Sequence, residues 1–193
     1  MDASTKFSVS TVPLCNMILA LLILAQIPVM FGVVSGVGTI GLVPWIACAY
    51  PVIVVCVIMM LKNGEFMDAT INGILSTVLM GQNAIAGLIQ LAYSVSGQQM
   101  PSEVAAGMGM INGLAFLTGG IILLCACTVA MRANKIAGAC IGISGIGFIS
   151  LFAMYYGAGP LFGMAGGICL TILAVFLLVT GVMAFFPKKE AQQ

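Results

Sequence analysis

Six stretches of this chain are each long and apolar enough to cross a bilayer, and nothing else in it constrains the fold as much. They cover about 13–34, 40–61, 66–93, 103–131, 136–156 and 161–186. A helix rising ~1.5 Å per residue needs about 20 apolar residues to cross a hydrocarbon layer of ~30 Å. With no water to bond the backbone, each such segment must satisfy its own peptide groups, which an α-helix does. Composition agrees: 62% of the 193 residues are hydrophobic and 6% charged, with a mean hydropathy of +1.22. A soluble domain would carry about 25% charge. The expected fold class is an all-α membrane protein, a six-transmembrane-helix bundle in one domain (13–186), flanked by short polar tails at 1–12 and 187–193. The first run is too long for the apolar core of a signal peptide and lacks a strongly basic leader, so it reads as a retained span.

Between the runs lie turn signals. Ser35–Thr39 reads as a tight turn, Lys62-Asn63-Gly64-Glu65 as an Asn-Gly break, Ser94–Glu103 as the most polar interior loop, and Gly157–Pro160 as a further break. Pro28 and Pro51 fall inside runs and should bend their helices. Trp45 and Tyr50, like the pairs Tyr155-Tyr156 and Phe185-Phe186, suit the interfacial belt. Six crossings put both termini on one side. Lys6, Lys62, Arg132, Lys135, Lys188 and Lys189 then share that side, with Glu103 opposite. The positive-inside rule makes the basic side cytoplasmic, so both termini are expected there. The expected location is a cytoplasmic membrane of prokaryotic type. A net charge of +1 gives no footing for nucleic acid.

What the runs lack narrows the chemistry. No Asp, Glu, Lys or Arg lies near the middle of any of them, and the chain has no histidine. Proton relays, ion sites, hydrolytic acids and bases, and metal ligands draw on those residue types. The reading is a non-enzyme with no cofactor, no metal and no catalytic residue. The seven cysteines lie inside apolar runs and form no C-x-x-C, which suits small buried hydrophobes. Asp68, in the first turn of the third run, favours the helix dipole there, or marks the mouth of a pathway.

The third run, over its stretch from Phe66 to Leu91, is the exception among the six. At ~100° per residue, Asn72, Ser76, Asn83, Gly87 and Gln90 fall within roughly 60° of arc. Amides do not face lipid cheaply. Counting depth from the expected entry points, Gln26, Gln82, Asn83, Thr118 and Thr171 reach the middle of the membrane on four different helices. Such a layer either lines the path of a small polar solute or bonds helix to helix. Leu75 and Leu79 flank the stripe and would form a dry constriction. The expected pathway residues are Gln26, Asn72, Ser76, Leu79, Gln82, Asn83, Thr118 and Thr171, with Asp68 at the mouth. Gly32–Gly36, Gly109–Gly113, Gly138–Gly142 and Gly163–Gly167 have the G-x-x-x-G spacing of close helix contacts, inside a bundle or between subunits. The repeated Ile71-Asn72-Gly73 and Ile111-Asn112-Gly113 do not occupy equivalent spans and are put down to chance.

Six spans in this length, a basic-Gly turn Lys62-Asn63-Gly64-Glu65-Phe66 leading to Ala69-Thr70 and Ser76, and the basic turn Arg132–Lys135 together resemble the YaaH-type acetate uptake family. Pro13, Leu14, Gly64 and Thr70 stand at matching positions. The resemblance implies a homohexamer with one pathway per protomer and a monocarboxylate such as acetate as solute. Its expected partners are therefore the lipid bilayer, a small polar solute and further copies of the chain. With no titratable group in the membrane, any proton would travel on the acid. Two other readings stand beside this one. An amide-lined middle suits a urea or short-amide channel, and a structural or assembly subunit with no pathway would use the stripe as interhelical glue.

Overall fold

The computed structural model describes residues 10–34 and 36–186. Among them the regular structure is helical, with no strand. Six helices are long and apolar enough to span a membrane: α1 Val12–Met30, α2 Val43–Asn63, α3 Phe66–Val95, α4 Ser102–Ala133, α5 Lys135–Tyr155 and α6 Pro160–Met183. The fold is thus an integral membrane bundle. The two expected tails lie largely outside the described residues, as do Lys6, Lys188 and Lys189.

Local sequence sets most of the helix ends. Pro28 stands inside α1 near its end, and the chain leaves the helix through Gly32 at φ +71°. There Val33 N–H bonds the Pro28 carbonyl at 2.8 Å and Gly32 N–H bonds Val29 at 3.0 Å. This is the two-bond closure that a left-handed residue permits. The Asn-Gly break closes α2 in the same way, with Gly64 at φ +78° and Glu65 N–H on the Met60 carbonyl at 2.9 Å. The expected turn at Ser35–Thr39 is instead largely a 3-10 turn, Gly36–Leu42, leading straight into α2. Asn134 alone separates α4 from α5. Its side-chain oxygen accepts from Ile136 N–H at 3.0 Å and Ala137 N–H at 3.2 Å, capping α5.

The helices form a closed ring in chain order, each packed on the next and α6 returning to α1, with α1 also meeting α3 inside it. The contacts among α4, α5, α6 and α1 are the most extensive, and glycine is the reason. A Cβ on Gly120 of α4 would lie 2.9 Å from the Gly145 carbonyl of α5, and one on Gly166 of α6 would lie 3.0 Å from the Gly147 carbonyl. At both crossings backbone meets backbone. The G-x-x-x-G pairs are largely spent within the protomer: Gly113 packs on Tyr155 and Tyr156, Gly142 on Cys127, Gly163 on Met154 and Gly167 on Phe31. Gly32 serves as a helix stop.

Antiparallel crossings gather Lys62, Arg132 and Lys135 at one end of the bundle and leave Glu103 at the other. These are the basic end and the Glu103 end below. Leu21, Trp45, Val55, Ile85, Ile111, Ile146 and Val175 are exposed around the outside, where hydrocarbon is the solvent. Leu19, Ile23, Ile53, Leu75, Leu79, Phe148, Leu170 and Leu173 make the dry centre.

Candidate functional site

The third span is not a uniform α-helix. It runs as α-helix over Phe66–Ser76, widens to a π-helical turn over Thr77–Gly81, and returns to α-helix over Gln82–Val95. One such turn takes up an extra residue, which delays everything after it by about 100° of rotation. The polar stripe read on a regular helix is therefore split. Asn72 and Ser76 stay with the first half, in the core, while Asn83, Gly87 and Gln90 turn together to a different face. Gly81 closes the π segment against Tyr50, whose ring a Cβ there would meet at 3.1 Å.

That second face borders a cavity of about 290 Å³ in the half of the bundle towards the Glu103 end. Every helix except α6 contributes to it. Its polar lining is Gln26 from α1, Thr39 from the turn before α2, Asn83 and Gln90 from α3, Asn112 from α4 and Tyr155 from α5. Val29, Val43, Ile46, Phe116, Leu151 and Met154 are among the apolar walls. No Asp, Glu, Lys or Arg is among the lining residues, so the site is electrically neutral throughout.

At the floor two amides converge on one backbone oxygen. Gln26 Nε2 donates to the Leu79 carbonyl at 2.9 Å from across the bundle, and Asn83 Nδ2 donates to the same oxygen at 2.7 Å. Leu79 sits inside the π turn. Its carbonyl ties α1 to α3 at the point where the helix is irregular, and such an interhelical bond contributes ~0.6–2 kcal/mol. Higher up, Thr39 Oγ1 donates to Gln90 Oε1 at 3.3 Å. Asn112 faces the Tyr155 hydroxyl, and the Tyr155 ring stacks on Phe116 with centroids 5.7 Å apart and planes at 16°. Towards the basic end the cavity gives way to packed side chains. Leu19, Leu75, Leu79 and Met80 there are all 0% exposed.

Of the residues expected on a pathway, Gln26 and Asn83 are brought together, with Leu79 joining them through its backbone. Asn72 is buried in the core, its Nδ2 bonded to the Asp68 carbonyl at 2.9 Å and its Oδ1 without a partner. Ser76 bonds the Gly73 carbonyl within its own helix. Gln82 points away from the cavity, with a buried Nε2 that finds no partner. Thr118 bonds Leu114 and faces an open groove between α2, α3 and α4, where Thr70 and Thr77 also lie. Thr171 bonds Gly167 on α6. Asp68 is exposed at the basic end of α3. No midplane layer assembles; the shared site is nearer the Glu103 end.

Thr39, Asn112 and Tyr155 were not expected there. Asn112 had a signal in the repeated Ile-Asn-Gly tripeptide. Tyr155 reads as a belt residue because it ends a span, and Thr39 sits in a stretch that reads as a simple turn. The fold and the site define a membrane-embedded protein with a neutral internal cavity. Comparison with protein-family models, curated proteins and solved structures finds no match that would narrow this class.

Proposed function

We propose that this protein is a membrane channel or transporter that passes a small polar solute in uncharged form through the cavity between α1 and α5. The observation that carries the reading is the lining: four amides and two hydroxyls around about 290 Å³, with no formal charge. That volume is near the lower limit of ligand sites and suits a solute of a few heavy atoms. A bare carboxylate would be costly there, because a buried charge without a counter-charge loses its hydration uncompensated. A monocarboxylate such as acetate would therefore enter as the protonated acid and bring its own proton. Urea or a short amide, neutral at every physiological pH, is the second reading. In the orientation that keeps the basic end and both termini cytoplasmic, the cavity belongs to the outer half of the membrane, and the packed leucines form the inner barrier. Assembly of several copies, each with its own pathway, belongs to the same proposal.

Uptake of labelled acetate and of urea into liposomes carrying the purified protein tests this. With no Asp, Glu or His in the lining, flux of a neutral solute should stay flat between about pH 5 and 8. Flux of an acid should fall as pH rises and the protonated form disappears. Liposomes no more permeable to either solute than protein-free vesicles would refute the proposal and favour a structural subunit.

A further inference from the structure

The floor of the cavity has a polarity that its neutral composition conceals. A carbonyl oxygen only accepts hydrogen bonds, so both amides that meet on Leu79 must turn their NH2 groups towards it and their oxygens away. That fixes an assignment which side-chain amides otherwise leave open. Gln26 Oε1 and Asn83 Oδ1 are then two acceptors supplied by adjacent helices, and neither accepts a bond from the described residues. Nor are they sealed in protein: among the described residues the buried side-chain atoms without a partner are Asn63 Oδ1, Glu65 Oε2, Asn72 Oδ1 and Gln82 Nε2, and neither oxygen is one of them. Both residues line the cavity, and Gln26 as a whole is only 5% exposed.

We infer that the Gln26–Asn83 floor is a donor-recognition site, and that the solute it takes is a small planar primary amide, urea or a short carboxamide, bound by its NH2 group. This rests on the reading of the cavity as a solute site and names the solute class. Two acceptors on one cavity floor match the two N–H bonds of one NH2. They repel a carboxylate, which offers only oxygen. Phe116 and Tyr155, whose rings stack on each other, are among the lining residues and offer aromatic contact to a planar group. The amides of Gln90 and Asn112 and the Tyr155 hydroxyl stand around the remaining space, where a solute carbonyl needs donors. An unmatched acceptor in such a site costs more than a matched one returns, so discrimination against the anion is built in.

Acetamide and acetate are close in size and shape and differ in NH2 against a charged oxygen, which makes them the deciding pair. Full-length protein in liposomes is assayed by stopped-flow light scattering for urea and acetamide, and by labelled uptake for acetate. Saturable urea and acetamide flux, with acetate at the level of protein-free vesicles near neutral pH, is the expected result. Asn83→Leu and Gln26→Met, each keeping the side-chain volume, should lower urea flux about five- to tenfold. Acetate carried while urea and acetamide are excluded would overturn the donor site and leave the solute pathway standing. Flux of none of the three would overturn both. Urea flux unchanged in both variants, each monodisperse in detergent, would overturn the floor assignment. If neither variant folds, the wild-type choice between acetamide and acetate decides alone.

Discussion

Two glycines of α4 should answer the same substitution with opposite signs. Gly120→Ala places a Cβ 2.9 Å from the Gly145 carbonyl, 2.9 Å from Ile149 Cγ1 and 3.2 Å from Phe148 Cβ. A side chain can turn aside, but the Gly145 carbonyl belongs to the backbone of α5, so α4 and α5 must separate. Forcing extra atoms into a packed contact costs about 1–3 kcal/mol, and the upper part of that range applies because this crossing anchors the most extensive contact in the bundle. Gly107→Ala, one helix but several turns away, meets nothing within 4 Å. It should be neutral or gain up to ~1 kcal/mol, the helix propensity difference between Ala and Gly. Both variants are unfolded from mixed micelles by increasing the SDS fraction and followed by far-UV circular dichroism. The midpoint should fall for Gly120→Ala and hold or rise for Gly107→Ala. Equal shifts, or a neutral Gly120→Ala, would mean that backbone contact does not set the α4–α5 crossing.

Two further outcomes follow from the helix ends and the π turn. Asn134→Ala removes the acceptor that caps Ile136 and Ala137 N–H and should cost about 1 kcal/mol in the same titration, with Asn134→Asp nearly neutral; a neutral Ala variant would show the cap to be idle. Deleting Thr77 from the π segment should leave a monodisperse protein, since a regular α-helix of one residue fewer keeps both halves of α3 on their present faces, whereas deleting Ile89 from the regular part rotates the helix end by about 100° and should abolish folding. Comparable behaviour of the two deletions in size-exclusion chromatography would refute the assignment of a π turn.

Much of the architecture was legible because hydrocarbon leaves a chain few options. Length and apolarity mark the spans, and Gly64 and Asn134 mark their ends by local chemistry that needs no partner. The site was legible only in part. Gln26 and Asn83 could be picked out as amides too deep for lipid, but the angular argument that grouped Asn83 with Asn72 assumed one helical pitch throughout. The π turn at Thr77–Gly81 arises from packing, with Tyr50 against Gly81 and Gln26 on the Leu79 carbonyl, and no residue in Thr-Val-Leu-Met-Gly announces it. Asn112 and Tyr155 come from α4 and α5, and their meeting with α3 is a matter of how the ring closes. Depth counting also treated the helices as upright and even. It therefore put Thr118 and Thr171 on a common level with the amides, although Thr118 faces a groove outside the cavity and Thr171 bonds within α6, the one helix that does not reach the cavity.

The most direct test of the cavity as the pathway is to block it with one small group. Ala86 lines it and none of the native cysteines does, so Ala86→Cys adds a thiol where an alanine already fits. The reconstituted variant and the wild type are treated with methyl methanethiosulfonate, intact mass confirms the modification, and urea flux is measured before and after. Modified Ala86→Cys should fall to the permeability of protein-free vesicles while the treated wild type keeps its flux, and the solute should slow the modification. Complete modification at position 86 with flux unchanged would contradict the assignment of this cavity as the route.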